Sequence, residues 1–241
     1  MPRLRVFADP NGSGKSTIKA DLPAELTRLF VNADELEKEA STTGFIDLTA
    51  FGLTTTLPEL LAFHREHYLI IRKSLCVPAS KLGLEGSRID YRQVELNSYF
   101  ASVISDYIRQ QLLKTNASFA FETVMSHPSK GEFMRQAQAC GYRTYLYFVS
   151  TDAPEINIDR VGIRVREGGH PVRHDLVRSR YTRSLDLLPE AVAASNRAYI
   201  FDNSGACAQW LAEITDGTQL EYRHEDIPDW FFDSYVDAVE H

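Results

Sequence analysis

The sequence predicts an α/β protein in which a central, mostly parallel β-sheet carries helices on both faces. Short, mostly apolar segments alternate with segments of helical periodicity along most of the 241 residues, and this alternation is typical of a parallel sheet covered by helices. A second observation is the glycine-rich turn at residues 9–14, where the first apolar segment ends and the first helical pattern begins. A strand, a turn and a helix therefore open the chain.

The strand candidates are short, mostly apolar and separated by helix-like stretches. They are residues 4–8, 29–33, 118–121, 143–149 and 198–201. Helical periodicity predicts a first helix over residues 15–29 and a long amphipathic helix over residues 93–114.

One stretch interrupts the alternation of strands and helices. Residues 41–92 contain three consecutive threonines, leucine-rich segments and a glycine-rich stretch, none of which continues the pattern. A chain of 241 residues suits one domain with an inserted piece. We therefore predict a single domain over residues 1–241 with a mainly helical insertion at about 41–92.

Composition limits the classes of function. A formal net charge of -7 disfavours nucleic acid as a partner but permits a local basic pocket for a small anion. No apolar run approaches the roughly 20 residues of a membrane helix, and the polar start lacks a signal-peptide core. The three cysteines have no metal-ligand spacing, and we expect buried, unreactive thiols. These features predict a cytoplasmic protein that does not bind membranes.

The strongest chemical signal is the run Asn11, Gly12, Ser13, Gly14, Lys15, Ser16 and Thr17. Its place between a strand and a helix is the setting of a phosphate-binding loop. Glycines let successive backbone amides point at phosphate oxygens, and the following helix adds its partial positive charge. Lys15 would reach the outer phosphates, and the Ser16 hydroxyl would hold magnesium. The alternative is a glycine-rich turn that only starts a helix.

Asp9 departs from this motif, because the full pattern has glycine six residues before the lysine. A carboxylate about 6 Å from a phosphate charge would repel it by roughly 3 kcal/mol at an effective dielectric constant of about 20. Either Asp9 points away from the phosphates, or this chain binds nucleotide weakly.

Two acidic positions follow strand candidates at the same sheet edge. Asp34 follows the second candidate, where a carboxylate can accept the proton of an attacking hydroxyl or can simply cap the next helix. Glu122 and Thr123 end the third candidate, where they can hydrogen-bond a polar substrate or cap the helix that begins near Ser129.

A basic segment follows residue 159. Arg160 and Arg164 are four residues apart on a predicted helix, so they share a face and can converge on one anion, or they form a solvated helix surface. Bidentate guanidinium groups stabilise the charge that spreads over a phosphate during transfer. His170 would contact substrate or make a structural hydrogen bond. We interpret residues 202–204 as the end of a strand and a turn without catalytic duty.

The order and approximate spacing of these motifs resemble the zeta-toxin family of phosphate-loop kinases over most of residues 4–204. The matching positions are residues 10–17, 32–34, 121–123, 160–161, 164–165, 167–171, 180–181 and 202–204. The resemblance implies a phosphate-loop kinase fold and a toxin of a toxin-antitoxin pair. Such a toxin uses ATP and Mg²⁺ to phosphorylate a UDP-activated amino sugar, usually UDP-N-acetylglucosamine on its 3′-hydroxyl.

The same resemblance implies roles for single residues. Lys15 and Ser16 would hold ATP and Mg²⁺, Asp34 would be the catalytic base, and Arg160 with Arg164 would clamp the transferred phosphate. The sugar-nucleotide pocket would contain Glu122 and Thr123.

This chain departs from the family pattern in three places. Asp9 replaces the first glycine of the loop, and the stretch between Asp34 and Glu122 is longer than in compact members. The chain also has no clean run of four apolar residues followed by an acid, which would supply a second magnesium ligand. Two other functions therefore stay open. One is a different phosphate-loop kinase, acting on a nucleoside, a nucleotide or a polynucleotide end. The other is a nucleotide-binding protein that is weakened by Asp9.

Overall fold

A computed structural model of the chain describes residues 1–20, 22–168 and 171–239, without the side chains of Ser16, Thr17 and Ala20. The strands are β1 Arg3–Ala8, β2 Phe30–Val31, β3 Phe45–Asp47, β4 Gly83–Glu85, β5 Arg88–Asp90, β6 Phe119–Thr123, β7 Arg143–Ser150, β8 Arg197–Asp202, β9 Gln209–Thr215 and β10 Gln219–Tyr222. The helices are α1 Lys15–Ala20, α2 Ala33–Thr43, α3 Leu57–Glu66, α4 Tyr68–Arg72, α5 Cys76–Ala79, α6 Ser98–Thr115, α7 Ser129–Ala139, α8 Pro154–Arg166, α9 His174–Asp186, α10 Leu188–Ala193, α11 Asp229–Phe231 and α12 Asp237–Val239.

The chain divides into two compact units. The first unit contains residues 1–28 and 118–241, and the second unit contains residues 29–117. The stretch that we predicted as an insertion, residues 41–92, lies within the second unit.

The first unit is built on a sheet whose strands follow the order β10, β9, β8, β7, β1 and β6. The strands β6, β1, β7 and β8 pair in parallel, so their carboxyl ends meet at one edge. β9 and β10 join antiparallel to β8 and to each other. The predicted, mostly parallel sheet is therefore confirmed, and the two antiparallel strands are an addition that the sequence analysis did not predict.

The first apolar run of the chain forms the strand β1, which lies inside the sheet between β6 and β7. From Leu4 to Ala8 every residue is buried. The strands β6 and β7 pair with β1 along its two edges. On one face, Phe7 stacks on Tyr147 with ring centroids 4.9 Å apart, and Tyr147 stacks in turn on Tyr199 at 5.0 Å. A strand with both faces buried is mostly apolar at successive rather than alternate positions. The one charged residue of this run, Arg5, donates from Nη1 to the Leu26 carbonyl oxygen at 3.2 Å.

The first helix is shorter than predicted. α1 ends at Ala20, and the chain continues through a single 3₁₀ turn, Ala24–Thr27, instead of remaining helical to residue 29. Pro23 explains the difference, because proline has no amide hydrogen and disfavours helical geometry in the residue before it. The long helix begins at Ser98 rather than at residue 93, because the Asn97 side chain accepts hydrogen bonds from the amides of Tyr99 and Phe100.

The second unit contains a small antiparallel sheet in the order β3, β5, β4, besides its helices α2 to α6. Each of these strands has only three residues. Segments this short carry no readable alternation, which is why the sequence analysis predicted mainly helix here.

All three cysteines are free and exposed, so the expectation of buried thiols was wrong. Cys76 begins α5, Cys140 follows the last residue of α7, and Cys207 lies in the connection between β8 and β9. These positions at element ends leave the side chains outside the core. Within the described residues, none of the helices combines the length and the apolar character that crossing a membrane requires.

His64 is a buried titratable group in the second unit. Its side chain is fully buried, and its Nδ1 lies 2.8 Å from the Leu60 carbonyl oxygen within α3. Burial lowers the pKa of His64 from 6.5 to about 4, because a charged imidazolium would lose its hydration. The folded chain therefore keeps His64 neutral at pH values where the unfolded chain protonates it.

We predict that this histidine makes the protein less stable in mild acid. Below pH 6.5 the unfolded chain binds a proton that the folded chain excludes until about pH 4. The contribution of His64 to the free energy of unfolding is therefore fully present above pH 6.5 and is lost as the pH falls. The loss between pH 8 and pH 5 is roughly 2 kcal/mol. Urea unfolding at both pH values measures this loss, and His64→Gln, which cannot titrate, should lose less by about that amount. Equal losses in the two proteins would contradict the assignment.

Candidate functional site

The turn after β1 has the backbone geometry of a phosphate-binding loop. Gly12 and Gly14 have φ values of 90° and 102°, a region that side chains rarely adopt. A Cβ atom on Gly12 would also lie 2.6 Å from the Asn157 carbonyl oxygen. Glycine is therefore required at position 12 both for its conformation and for the close approach of α8.

Two buried amide side chains hold the loop at Ser13, which is itself fully buried. Asn157 donates from Nδ2 to the Ser13 hydroxyl oxygen at 3.0 Å, and Asn203 donates from Nδ2 to the Ser13 carbonyl oxygen at 2.7 Å. The Thr151 hydroxyl donates to Oδ1 of Asn157 at 2.6 Å. The loop is thus attached to α8 and to the end of β8 by hydrogen bonds that water does not reach.

No role for Asn157 was predicted from the sequence, and residues 202–204 were interpreted as the end of a strand and a turn without catalytic duty. In the structure, Asn203 positions the loop through its hydrogen bond to Ser13, which is a structural role and not a catalytic one. A signal for Asn157 existed, because it precedes the core residues Ile158 and Val161 on the buried face of α8. A polar residue at a core position needs a hydrogen-bond partner.

α9 contributes a further contact to the loop. Arg180 donates from Nη1 to Oδ1 of Asn11 at 2.9 Å. One residue later, the Tyr181 hydroxyl donates to the Thr151 carbonyl oxygen at the end of β7. The basic segment therefore includes one arginine that supports the loop directly.

Asp9 faces the lysine of the loop, an orientation that the sequence did not predict. It is 2% exposed, so it does not point to solvent. Its Oδ1 forms an ion pair with Nζ of Lys15, and its Oδ2 accepts a hydrogen bond from the Lys15 backbone amide at 3.2 Å. Asp9 is also not among the non-glycine residues with positive φ in the described part of the chain. Its carboxylate therefore binds the lysine of the loop.

Glu122 and Thr123 lie beside this loop at the end of β6. Their register partners on β1 are Phe7 and Ala8, and the Thr123 carbonyl oxygen accepts from the Asp9 amide at 3.2 Å. The alternative in which they cap the next helix was wrong. α7 begins at Ser129 without a side-chain cap, and the Thr123 hydroxyl instead accepts from the Met125 amide at 3.3 Å.

The two arginines of α8 differ in their surroundings. Arg160 donates from Nη2 to the Gly205 carbonyl oxygen at 3.4 Å, and its Nη1 is buried without a hydrogen-bond partner. Arg164 lies one turn further along α8 and is exposed. Their convergence on one anion stays a prediction, and Arg160 is the better placed of the two because part of its guanidinium is already desolvated.

Asp34 belongs to the second unit. It is exposed in the first turn of α2, whose cap is Asn32: the Asn32 Oδ1 accepts from the amides of Asp34 at 2.8 Å and Glu35 at 3.2 Å. The alternative in which Asp34 caps this helix was therefore wrong. Its carboxylate has no part in capping.

Some predicted residues lie outside the described part of the chain. They are His170 and the side chains of Ser16 and Thr17. Among the residues that are described, no group of three or more His, Cys, Asp or Glu side chains could hold a metal ion.

Comparison with known proteins supports the family resemblance over part of the chain. The zeta-toxin family model matches residues 84–213, which is more than half of the chain. An uncharacterized protein of Haemophilus influenzae is 32% identical over 69 residues, which cover 29% of this chain and 49% of that protein. The match thus spans about half the length of this curated relative.

Solved structures are similar to this chain in fold. The complex of AvrRxo1-ORF1 with AvrRxo1-ORF2 and sulphate ions has a TM-score of 0.54 at 14% identity, over 93% of this chain and 62% of that one. A structure of the PezAT chromosomal toxin-antitoxin system of Streptococcus pneumoniae has a TM-score of 0.50 at 13% identity, over 98% of this chain and 79% of that one. This likeness confirms the predicted fold class.

We predict that Gly12→Ala disrupts the loop. The new Cβ would meet the Asn157 carbonyl oxygen at 2.6 Å, and φ would remain at a value that alanine avoids. The melting temperature should fall by several degrees, as expected for a loss of about 1 to 3 kcal/mol. The matched control is Gly205→Ala, where a Cβ meets nothing within 4 Å. Thermal unfolding of both variants tests this, and equal melting temperatures would contradict it.

Proposed function

Because the chain belongs to the zeta-toxin family, we propose that it is an ATP-dependent kinase that transfers a phosphoryl group to an alcohol. The observation that carries the proposal is the loop between β1 and α1, with glycines at positive φ, a buried Ser13 and Lys15 at its end. Nucleotide phosphates bind such loops through backbone amides and a lysine ammonium. A related structure, AvrRxo1-ORF1 with AvrRxo1-ORF2, was solved with ATP at 14% identity and a TM-score of 0.52.

In the proposed reaction, the substrate hydroxyl oxygen attacks the γ-phosphorus of ATP and ADP leaves. The Lys15 ammonium binds the outer phosphates, and the loop amides of residues 11–17 hold the phosphate chain. Asp34 accepts the proton of the attacking hydroxyl. The Arg160 nitrogen that has no hydrogen-bond partner in the structure would donate to an oxygen of the transferred phosphate, with Arg164 as a second donor. Magnesium, held by Ser16 and the phosphates, would neutralise charge on the phosphate oxygens.

We further propose that the acceptor is a UDP-activated amino sugar, with UDP-N-acetylglucosamine as the first candidate. The support is the resemblance to the family, which assigns Glu122 and Thr123 to the sugar-nucleotide pocket. We propose His170 as a further contact of the substrate. A toxin role with a protein antitoxin as partner rests on family membership and on the PezAT toxin-antitoxin system among the similar structures.

Mass spectrometry of a mixture of UDP-sugars, incubated with the protein, ATP and magnesium, tests the acceptor. One sugar nucleotide should gain the mass of a phosphoryl group, and the same mixture with the Lys15→Ala protein should not change. Phosphorylation of a nucleoside or an oligonucleotide in a parallel panel, without any UDP-sugar product, would favour a different kinase of the same fold.

A second candidate function is nucleotide binding without turnover. The Asp9–Lys15 ion pair favours it, because a lysine that stays paired with Asp9 would not stabilise the transferred phosphate, whereas the loop amides could still bind nucleotide. ATP binding without phosphorylation of any acceptor in the panel would support this candidate.

We predict that Lys15→Ala strongly reduces the stabilisation of the protein by ATP, because the variant lacks the cation for the outer phosphates and keeps only the loop amides as phosphate donors. A ligand at a hundred times its Kd stabilises a protein by about 2.7 kcal/mol, which a thermal-shift assay resolves. Without ATP, the variant should also melt earlier, since the buried Asp9 carboxylate loses its ion pair. Lys38→Ala, at an exposed position of α2, is the control and should respond to ATP like the unaltered chain.

We predict that Asp34→Asn cuts phosphoryl transfer by about two orders of magnitude or more, the usual scale for losing a positioned base. The melting temperature and the affinity for ATP should hardly change, because Asn32 rather than Asp34 caps α2. Asn32→Ala gives the opposite control, since loss of the cap costs about 1 kcal/mol of stability. Steady-state kinetics and thermal unfolding of both variants separate the two roles, and full activity of Asp34→Asn would exclude it as the base.

A further inference from the structure

We propose that Asp9 is an internal ligand of the phosphate loop, which an incoming nucleotide must displace from Lys15. This inference rests on the proposed function and adds a control of nucleotide affinity to it. Binding would exchange the Asp9–Lys15 ion pair for a pair between Lys15 and a phosphate.

The first observation is that Asp9 engages the two donors that a phosphate would use. Its Oδ1 pairs with Nζ of Lys15, and its Oδ2 accepts from the Lys15 backbone amide at 3.2 Å. A loop lysine binds phosphate with its ammonium, and the loop amides bind phosphate oxygens. The carboxylate therefore takes the place of an anionic ligand at both groups.

The second observation is that the pair is shielded from water. Asp9 is 2% exposed, and the Lys15 side chain is 14% exposed. Charges removed from water interact more strongly than surface pairs, and salt screens them less. Separation of this pair therefore costs more than separation of an exposed pair.

The third observation is that the backbone at position 9 does not require glycine. Asp9 follows β1 directly, its amide donates to the Thr123 carbonyl oxygen at 3.2 Å, and its φ is not positive. Replacement by asparagine therefore removes the charge while the side chain keeps its size, and glycine is compatible with the same backbone conformation. An effect on nucleotide binding can then be assigned to the carboxylate.

A carboxylate at this position can weaken binding in two ways. It can repel the phosphates, or it can hold Lys15 away from them. The geometry favours the second, because both carboxylate oxygens face Lys15. Only in the second case does the effect of removing the carboxylate require Lys15.

A double-mutant cycle tests this difference. Mg·ATP is titrated by calorimetry, at fixed salt, into the unaltered chain, Asp9→Asn, Lys15→Ala and the double variant. We expect Asp9→Asn to bind at least about tenfold more tightly than the unaltered chain. In the Lys15→Ala background the same substitution should change the affinity by less than twofold. An equal gain in both backgrounds would overturn the proposal in favour of phosphate repulsion.

A second variant and a second probe complete the test. Asp9→Gly repeats the comparison in case Asp9→Asn does not fold, and inorganic tripolyphosphate serves as a probe that does not depend on kinase activity. If the unaltered chain and both Asp9 variants bind Mg·ATP equally, the inference fails and the proposed function stands. If no variant binds Mg·ATP but the Asp9 variants bind tripolyphosphate more tightly than the unaltered chain, the proposed function fails, and the inference stands for a phosphate chain in place of a nucleotide.

Discussion

The burial of Ser13 is the constraint on which the candidate site depends. Two amide side chains, Asn157 and Asn203, donate to this one residue, and they come from α8 and from the end of β8. A buried amide without a partner costs about 1 to 3 kcal/mol, so each of these hydrogen bonds favours one arrangement of the loop. The close approach of α8 in turn excludes any side chain at Gly12. The loop conformation is thus determined by residues that are far away in the sequence.

In this loop, the Asp9 carboxylate neutralises the charge of the Lys15 ammonium. An unpaired lysine and an unpaired carboxylate would each be unfavourable in so shielded a place, whereas together they are compatible with folding. On the inference above, Asp9 thus occupies the loop lysine when no ligand is bound and opposes the binding of a phosphate. Loop stability and nucleotide affinity are coupled through one lysine.

Sequence analysis predicted the elements that have a strong local signature. The strand, turn and helix at residues 4–20 were visible because apolar runs and glycines act locally, and the parallel order follows from the alternation of elements. The partner of Asp9 and the hydrogen bonds of Asn157 were not predictable, since they depend on which side chains the fold brings together. The end of α1 was misjudged because apolar periodicity continued beyond Pro23. The roles of Asp34, Arg160, Arg164 and the pocket residues stay predictions.

The case for a nucleotide site combines two independent lines. The family model matches residues 84–213 and so includes neither the loop at residues 11–17 nor Asp34. The loop is identified instead by its motif and by its backbone geometry in the first unit. Residues within the match, Asn157 and Asn203, make the hydrogen bonds that hold the loop outside it. The matched segment therefore contributes the support of the phosphate loop, and family membership and loop geometry bear on the same site.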